Sequence, residues 1–185
     1  FARGPRPQAM KTVLITSFHV LISRNILAAP FLRHLTGRGG IRAVVAVPRR
    51  KVDFFAAAFG GERVVVEGLG RNPQACDRFL QDLSAAALST RTLALKAAAG
   101  LGPSGAARAA AAVLGRRIRA VRWLDRTLTP RGRFAKLLSR YRPDAVFATD
   151  VFSAMDVRLM HEARDRGLPV LGMVRSWDNP TAKGL

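Results

Sequence analysis

The sequence predicts an α/β domain of the doubly wound type: a parallel sheet of about five strands, helices packed on it, and a helical segment inserted before the fourth strand. Two observations lead there. Short apolar runs rich in Val and Ile alternate with longer amphipathic stretches, the pattern of β-α-β units joined by right-handed crossovers. The densest polar clusters outside the helices follow directly after such runs, where open parallel sheets bind their ligands.

Taken in order, residues 11–18 (KTVLITSF) begin as a continuous apolar run with β-branched residues, as a strand buried on both faces requires. A helix over 24–35 carries Ile26, Leu27, Phe31 and Leu35 at helical spacing and stops at Gly37, Gly39 and Gly40. Residues 41–47 (IRAVVAV) form the second strand, closed by Pro48. A short helix over 51–59 ends at Gly60-Gly61, and residues 63–66 make the third strand. Asn72-Pro73 reads as an N-cap followed by proline at the first helical position. That opens the inserted helical segment, residues 72–142, comprising one helix to the mid-nineties, a second over 106–128 and a third from Thr129-Pro130. Residues 145–148 (AVFA) are the fourth strand, Asp150 caps a helix over 151–166, and residues 169–174 (PVLGMV) are the fifth strand. Strand order 3-2-1-4-5 puts the first and fourth strands side by side at the point where the winding reverses.

The length of 185 residues suits one domain, residues 11–185, preceded by a disordered lead over 1–10. The lone Cys76 excludes an internal disulfide, and no apolar run approaches the roughly 18 residues of a spanning helix. A cytoplasmic location is expected, with a peripheral place on the inner face of the plasma membrane as its variant. The formal net charge of +19 favours anionic partners.

Three loops carry the candidate chemistry. The first places Ser17 and His19 at the end of strand one, with Arg24 and Asn25 at the next helix start, where free backbone N–H groups suit phosphate. Histidine there can act as a general base near neutral pH. The one Gly-x-Gly-x-x-Gly, residues 100–105 (GLGPSG), breaks the helical segment instead of following a strand, so a nicotinamide or flavin fingerprint is absent. The second loop offers Thr149 and Asp150, the acid doubling as helix cap and ligand contact. The third, residues 175–184 (RSWDNPTAKG), concentrates Ser176, Trp177, Asp178, Asn179, Thr181 and Lys183 after the fifth strand. Trp177 can stack on a ring and Lys183 can neutralise phosphate. The topology gathers Ser17, His19, Asn25, Asp150, Ser176, Asp178 and Asn179 in one pocket, with Lys183 at its rim. His19, His34 and His161 lack carboxylate or cysteine neighbours at ligand spacing, so no metal is expected.

Residues 11–27 (KTVLITSFHVLISRNIL) and 174–184 (VRSWDNPTAKG) resemble the N-terminal half of bacterial glycosyltransferase-like proteins of the GT-B class. These are related to the CDP-glycerol glycerophosphotransferases and the UDP-N-acetylglucosamine 2-epimerases. The resemblance implies a Rossmann-like, acceptor-holding domain for a glycosyltransferase or glycerophosphotransferase of cell-envelope carbohydrate synthesis. A C-terminal domain, absent from these residues, would bind the nucleotide-linked donor (nucleotide sugar or CDP-glycerol), and no other cofactor is implied. The acceptor would be a carbohydrate or a lipid-linked one. The resemblance implicates His19 as catalytic and puts Asp150 at an acidic corner. Asp178, which the expected strand order brings within reach of Asp150, is the third expected catalytic residue, and residues 1–185 alone are expected to be inactive. Thr149 stands where the epimerases carry Gly, which argues against epimerase activity.

Between Ser104 and Arg142 eleven Arg and Lys residues face one acid, Asp125. On the expected helix over 106–128, Leu114, Ile118, Val121 and Leu128 share one face and Arg116, Arg119, Arg122 and Arg126 run along another. This is a solvated Arg face or a surface for anionic lipid. A non-catalytic module binding nucleic acid or anionic lipid is therefore the alternative reading. The few aromatics among these charges argue against nucleic acid.

Overall fold

The computed structural model describes residues 10–19, 23–37, 39–70, 74–88 and 90–174. Five strands form a single all-parallel sheet in the order β3-β2-β1-β4-β5, a Rossmann-like arrangement. They are β1 (Lys11–Thr16), β2 (Ile41–Pro48), β3 (Val64–Leu69), β4 (Ala145–Ala148) and β5 (Val170–Gly172). Strand number, order and direction match the sequence expectation. β1 is central, pairing with β2 through Lys11↔Ile41 to Thr16↔Ala46 and with β4 through Val13↔Ala145 to Ile15↔Phe147.

The central strands are apolar on both faces because both faces are covered. Successive side chains along a strand point to opposite sides. Leu14, Val44, Ala46 and Val146 accordingly share one core with Phe134, Leu137, Leu138 and Leu159. Ile15, Ala43, Val45 and Val47 share the other with Leu27, Leu32 and Phe55. The first core is roofed by α7 (Ala135–Tyr141) and α8 (Ala154–Arg164), the second by a π-helical turn (Ser23–Leu27), α1 (Pro30–Gly37) and α2 (Val52–Phe59).

A third core lies off the sheet, among α3 (Ala75–Ala87), α5 (Gly105–Val113) and α6 (Ile118–Leu128), with α4 (Arg91–Ala98) between α3 and α5 in the chain. Leu83 and Ala87 meet Ala107, Ala111 and Val121 there, the small alanines allowing close helix approach. This is the inserted helical segment.

Before β4, helix boundaries depart from expectation in four places, each for a local reason. The helix expected over 24–35 is split, because Pro30 has no N–H to continue a helix and instead starts α1. The helix expected to reach the mid-nineties breaks at Leu88, and Thr90 caps α4 by accepting a hydrogen bond from the Leu93 N–H at 3.3 Å. The helix expected over 106–128 is two helices, since Gly115 and Arg116 take left-handed backbone (φ +58° and +53°). Arg116 therefore sits in a turn, off the Arg-bearing face of α6. The third helix starts at Ala135 rather than at Thr129-Pro130. The Asn72-Pro73 cap lies outside the described residues; the first described contact at that end is Gln74 N–H donating to Asp77 Oδ2 at 2.6 Å.

Candidate functional site

The carboxyl ends of β1 and β4 meet in a buried polar knot. The Thr149 N–H donates to Thr16 Oγ1 and the Thr149 hydroxyl donates to the Thr16 carbonyl, both at 2.8 Å. The Thr16 hydroxyl in turn donates to Asp156 Oδ1. Each threonine thus spends its hydroxyl proton on a named acceptor, and the two strands are tied together past the last paired residues of their ladder. Ser17 N–H donates to the Ala46 carbonyl at 2.8 Å, fixing β1 to β2 at the same edge. Thr16, Ser17, Thr149, Asp150 and Asp156 are all buried.

Asp150 follows β4 and shapes the turn into α8. Its Oδ1 accepts from the Phe152 N–H at 3.1 Å, and its carbonyl accepts from the Ser153 N–H at 3.2 Å. The expected role as cap of a helix over 151–166 is corrected here. The helix begins at Ala154 with Ser153 as its N-cap, because Asp150 closes a tight turn of its own first. The acid that sits in the first helical turn is Asp156. Burial, the largest cause, pushes its carboxyl up from the ordinary 3.8 to about 6, and the Asp150 charge pushes the same way. Hydrogen bonds from Thr16, from Ser153 and from the Asp150 backbone pull against this without cancelling it.

The site thus holds two carboxylates of different character at the switch point. Asp150 shapes the loop at the sheet edge, and Asp156 stands behind it in a dry setting that lets it keep a proton near pH 6. Asp156 was not among the residues expected from sequence. Ser153-Ala154-Met155-Asp156 matches the capping-box spacing and was the available signal.

The other expected site residues divide clearly. Ser17 and Asp150 are brought to one edge by the β1–β4 pairing. His19 is half-buried three residues beyond β1, and Asn25 is exposed in the π-helical turn. Arg24 belongs to that turn, and its side chain lies outside what is described. Ser176, Trp177, Asp178, Asn179, Thr181 and Lys183 lie outside the described residues. Arg119, Arg122 and Arg126 are exposed on α6, and Arg116 is exposed in the preceding turn. On the apolar side of α6, Val121 is buried but Ile118 and Leu128 are exposed.

Two polar side-chain contacts link the inserted helices to the sheet layer. Arg158 of α8 pairs with Asp77 of α3 at 2.7 Å, both side chains at least 95% buried, and also donates to Gln74 Oε1 at 3.1 Å. His161 Nε2 lies 2.9 Å from Asp125 Oδ2 of α6. The carboxylate partner of His161 is thus 36 residues away in sequence, so ligand spacing along the chain could not reveal it. No group of three or more His, Cys, Asp or Glu placed to hold a metal occurs among the described residues. No helix among the described residues is long and apolar enough to cross a membrane.

Comparison of the chain with protein-family models, with curated proteins and with solved structures finds no match.

Proposed function

We propose that residues 11–185 form the acceptor-holding half of a group-transfer enzyme of the GT-B type, a glycosyltransferase or glycerophosphotransferase of cell-envelope carbohydrate synthesis. The observation that carries this reading is the Asp150–Asp156 carboxylate pair at the junction of β1 and β4, with Asp156 raised to about 6. An acceptor hydroxyl must shed its proton as its oxygen attacks the donor. A carboxylate at that sheet edge can accept the proton. Asp150 is the member of the pair assigned to touch the acceptor, and Asp156 is a positioning residue, holding Thr16 and Ser153 around the turn. His19, at the same sheet edge, is assigned to share the base role. In this reading the donor occupies a second α/β domain.

Thermal unfolding of the 185-residue protein with four separate probes tests the reading: N-acetylglucosamine, glycerol 3-phosphate, UDP-N-acetylglucosamine and CDP-glycerol. An acceptor-type probe, one of the first two, is expected to raise the midpoint of the wild type and to lose that effect in Asp150→Asn. No shift with any probe would overturn the reading, as would an equal shift in the variant.

A further inference from the structure

A groove of about 570 Å³ lies between α6 and α8, with the Val151–Phe152 turn and Arg164 among its lining. Its walls differ in kind. Phe152, Val157 and Met160 line one stretch with Trp123, which is 64% exposed at the rim. Arg122 and Arg126 from α6 and Arg164 from α8 bring three guanidinium groups to the same groove. None of the three forms an ion pair among the described residues. The two acids that also line it are engaged: Asp125 by His161 at 2.9 Å and Asp165 by Arg131 at 2.6 Å.

From this we infer that the groove binds one molecule of a phosphate-bearing lipid, the phosphate held by Arg122, Arg126 and Arg164 and the hydrocarbon laid along Phe152, Val157 and Met160. Guanidinium groups match phosphate oxygens in charge and in their forked geometry. The hydrogen-bonding side chains in the lining besides the charged ones are Ser84, the Trp123 indole N–H and His161, the last engaged by Asp125, too few to read the edge of a base or the hydroxyls of a sugar. Apolar walls favour a chain instead. The exposed Ile118 and Leu128 on the same helix, with Trp123, are residues that suit the boundary between headgroups and acyl chains. The inference stands apart from the group-transfer reading, since the groove shares only the Val151–Phe152 turn with the carboxylate site.

Isothermal titration of the 185-residue protein with dodecyl phosphate below its micelle concentration tests it. Inorganic phosphate, dodecyl maltoside and a twelve-nucleotide single-stranded DNA serve as separate probes. The variant is Arg122→Gln/Arg126→Gln/Arg164→Gln, whose three changes fall on side chains without ion pairs among the described residues; circular dichroism checks that it keeps the wild-type fold. Dodecyl phosphate is expected to bind the wild type, and the variant to bind it about tenfold or more weakly, as loss of one charge-assisted hydrogen bond already requires. Inorganic phosphate is expected to bind at least about a hundredfold more weakly than dodecyl phosphate, because burial of each methylene adds to affinity. Unchanged affinity in a folded variant would overturn the inference. Equal binding of inorganic phosphate would reduce the site to a plain anion contact, and equal binding of the maltoside to an apolar one. Tighter, arginine-dependent binding of the DNA would assign the surface to nucleic acid. Each of these three also overturns it.

Discussion

Asp156 shows how one buried side chain can set a pH response. Its folded-state pKa of about 6 exceeds the ordinary 3.8, so between these values the folded protein holds a proton that the unfolded chain releases. Stability from this group is therefore full below about pH 4 and declines as pH rises toward 6, by up to about 3 kcal/mol. Asp165 acts with the opposite sign. The hydrogen bond from Arg131 holds its carboxyl below the usual range, so its contribution is present above pH 3.8 and is lost as pH falls. The two windows do not overlap. Urea midpoints measured between pH 4 and 7 are expected to fall with rising pH in the wild type and to stay flatter in Asp156→Asn. A parallel decline in both proteins would show that another group carries the slope. Of this residue-scale site, Ser17 and Asp150 were legible in the sequence because each directly follows a recognisable strand. Asp156 was hidden because its effect comes from burial beneath the turn rather than from a place in a loop.

At the scale of elements, α3 meets α8 across a buried ion pair. Arg158 and Asp77 are 2.7 Å apart and nearly free of water, and the Arg158 Nε is buried without a hydrogen-bond partner among the described residues. Removing one charge strands the other in a medium that solvates it poorly. Asp77→Ala is expected to destabilise the protein by about 4 kcal/mol, whereas Asp77→Leu with Arg158→Met is expected to be close to neutral. Chemical denaturation of both variants checks this. A double variant as unstable as the single one would mean that the pair itself, rather than its uncompensated half, holds the helices. The breaks in the helical segment belong to this scale too. Gly115 and Thr90 are ordinary residues for a helix end, but an apolar stretch running past them conceals the stop until the helices pack on different neighbours.

Across the whole molecule, the 31 Lys and Arg residues against 12 Asp and Glu create a field that opposes compactness. Added salt screens this repulsion, the Debye length shrinking from about 30 Å at 0.01 M to about 10 Å at 0.1 M. The melting temperature is expected to rise over that range by about 3 °C, equivalent to on the order of 1 kcal/mol for a chain of this size. A melting temperature independent of salt would show that the cations are neutralised locally. The ion pairs Arg131–Asp165, Arg140–Glu67 and Arg166–Glu162 relieve the repulsion only in part, and α6 keeps an outward arginine row.

The sheet was legible in the chain. Five apolar runs, the crossovers between them and the polar loops beyond β1 and β4 were all readable: burial on both faces makes the central strands continuous apolar runs in the chain, and the edge strands β3 and β5 keep Val and Leu although they are less buried. Tertiary structure alone decided which acids and bases meet. Thr16 and Asp156 are 140 residues apart, Arg158 and Asp77 are 81 apart, and His161 and Asp125 are 36 apart. Only the crossover that lays β4 against β1, and the packing of α3 and α6 beside α8, bring them within hydrogen-bond reach. The groove between α6 and α8 has the same origin: its arginines and its apolar wall come from helices separated in the chain by α7 and β4, and they face each other only in the folded molecule.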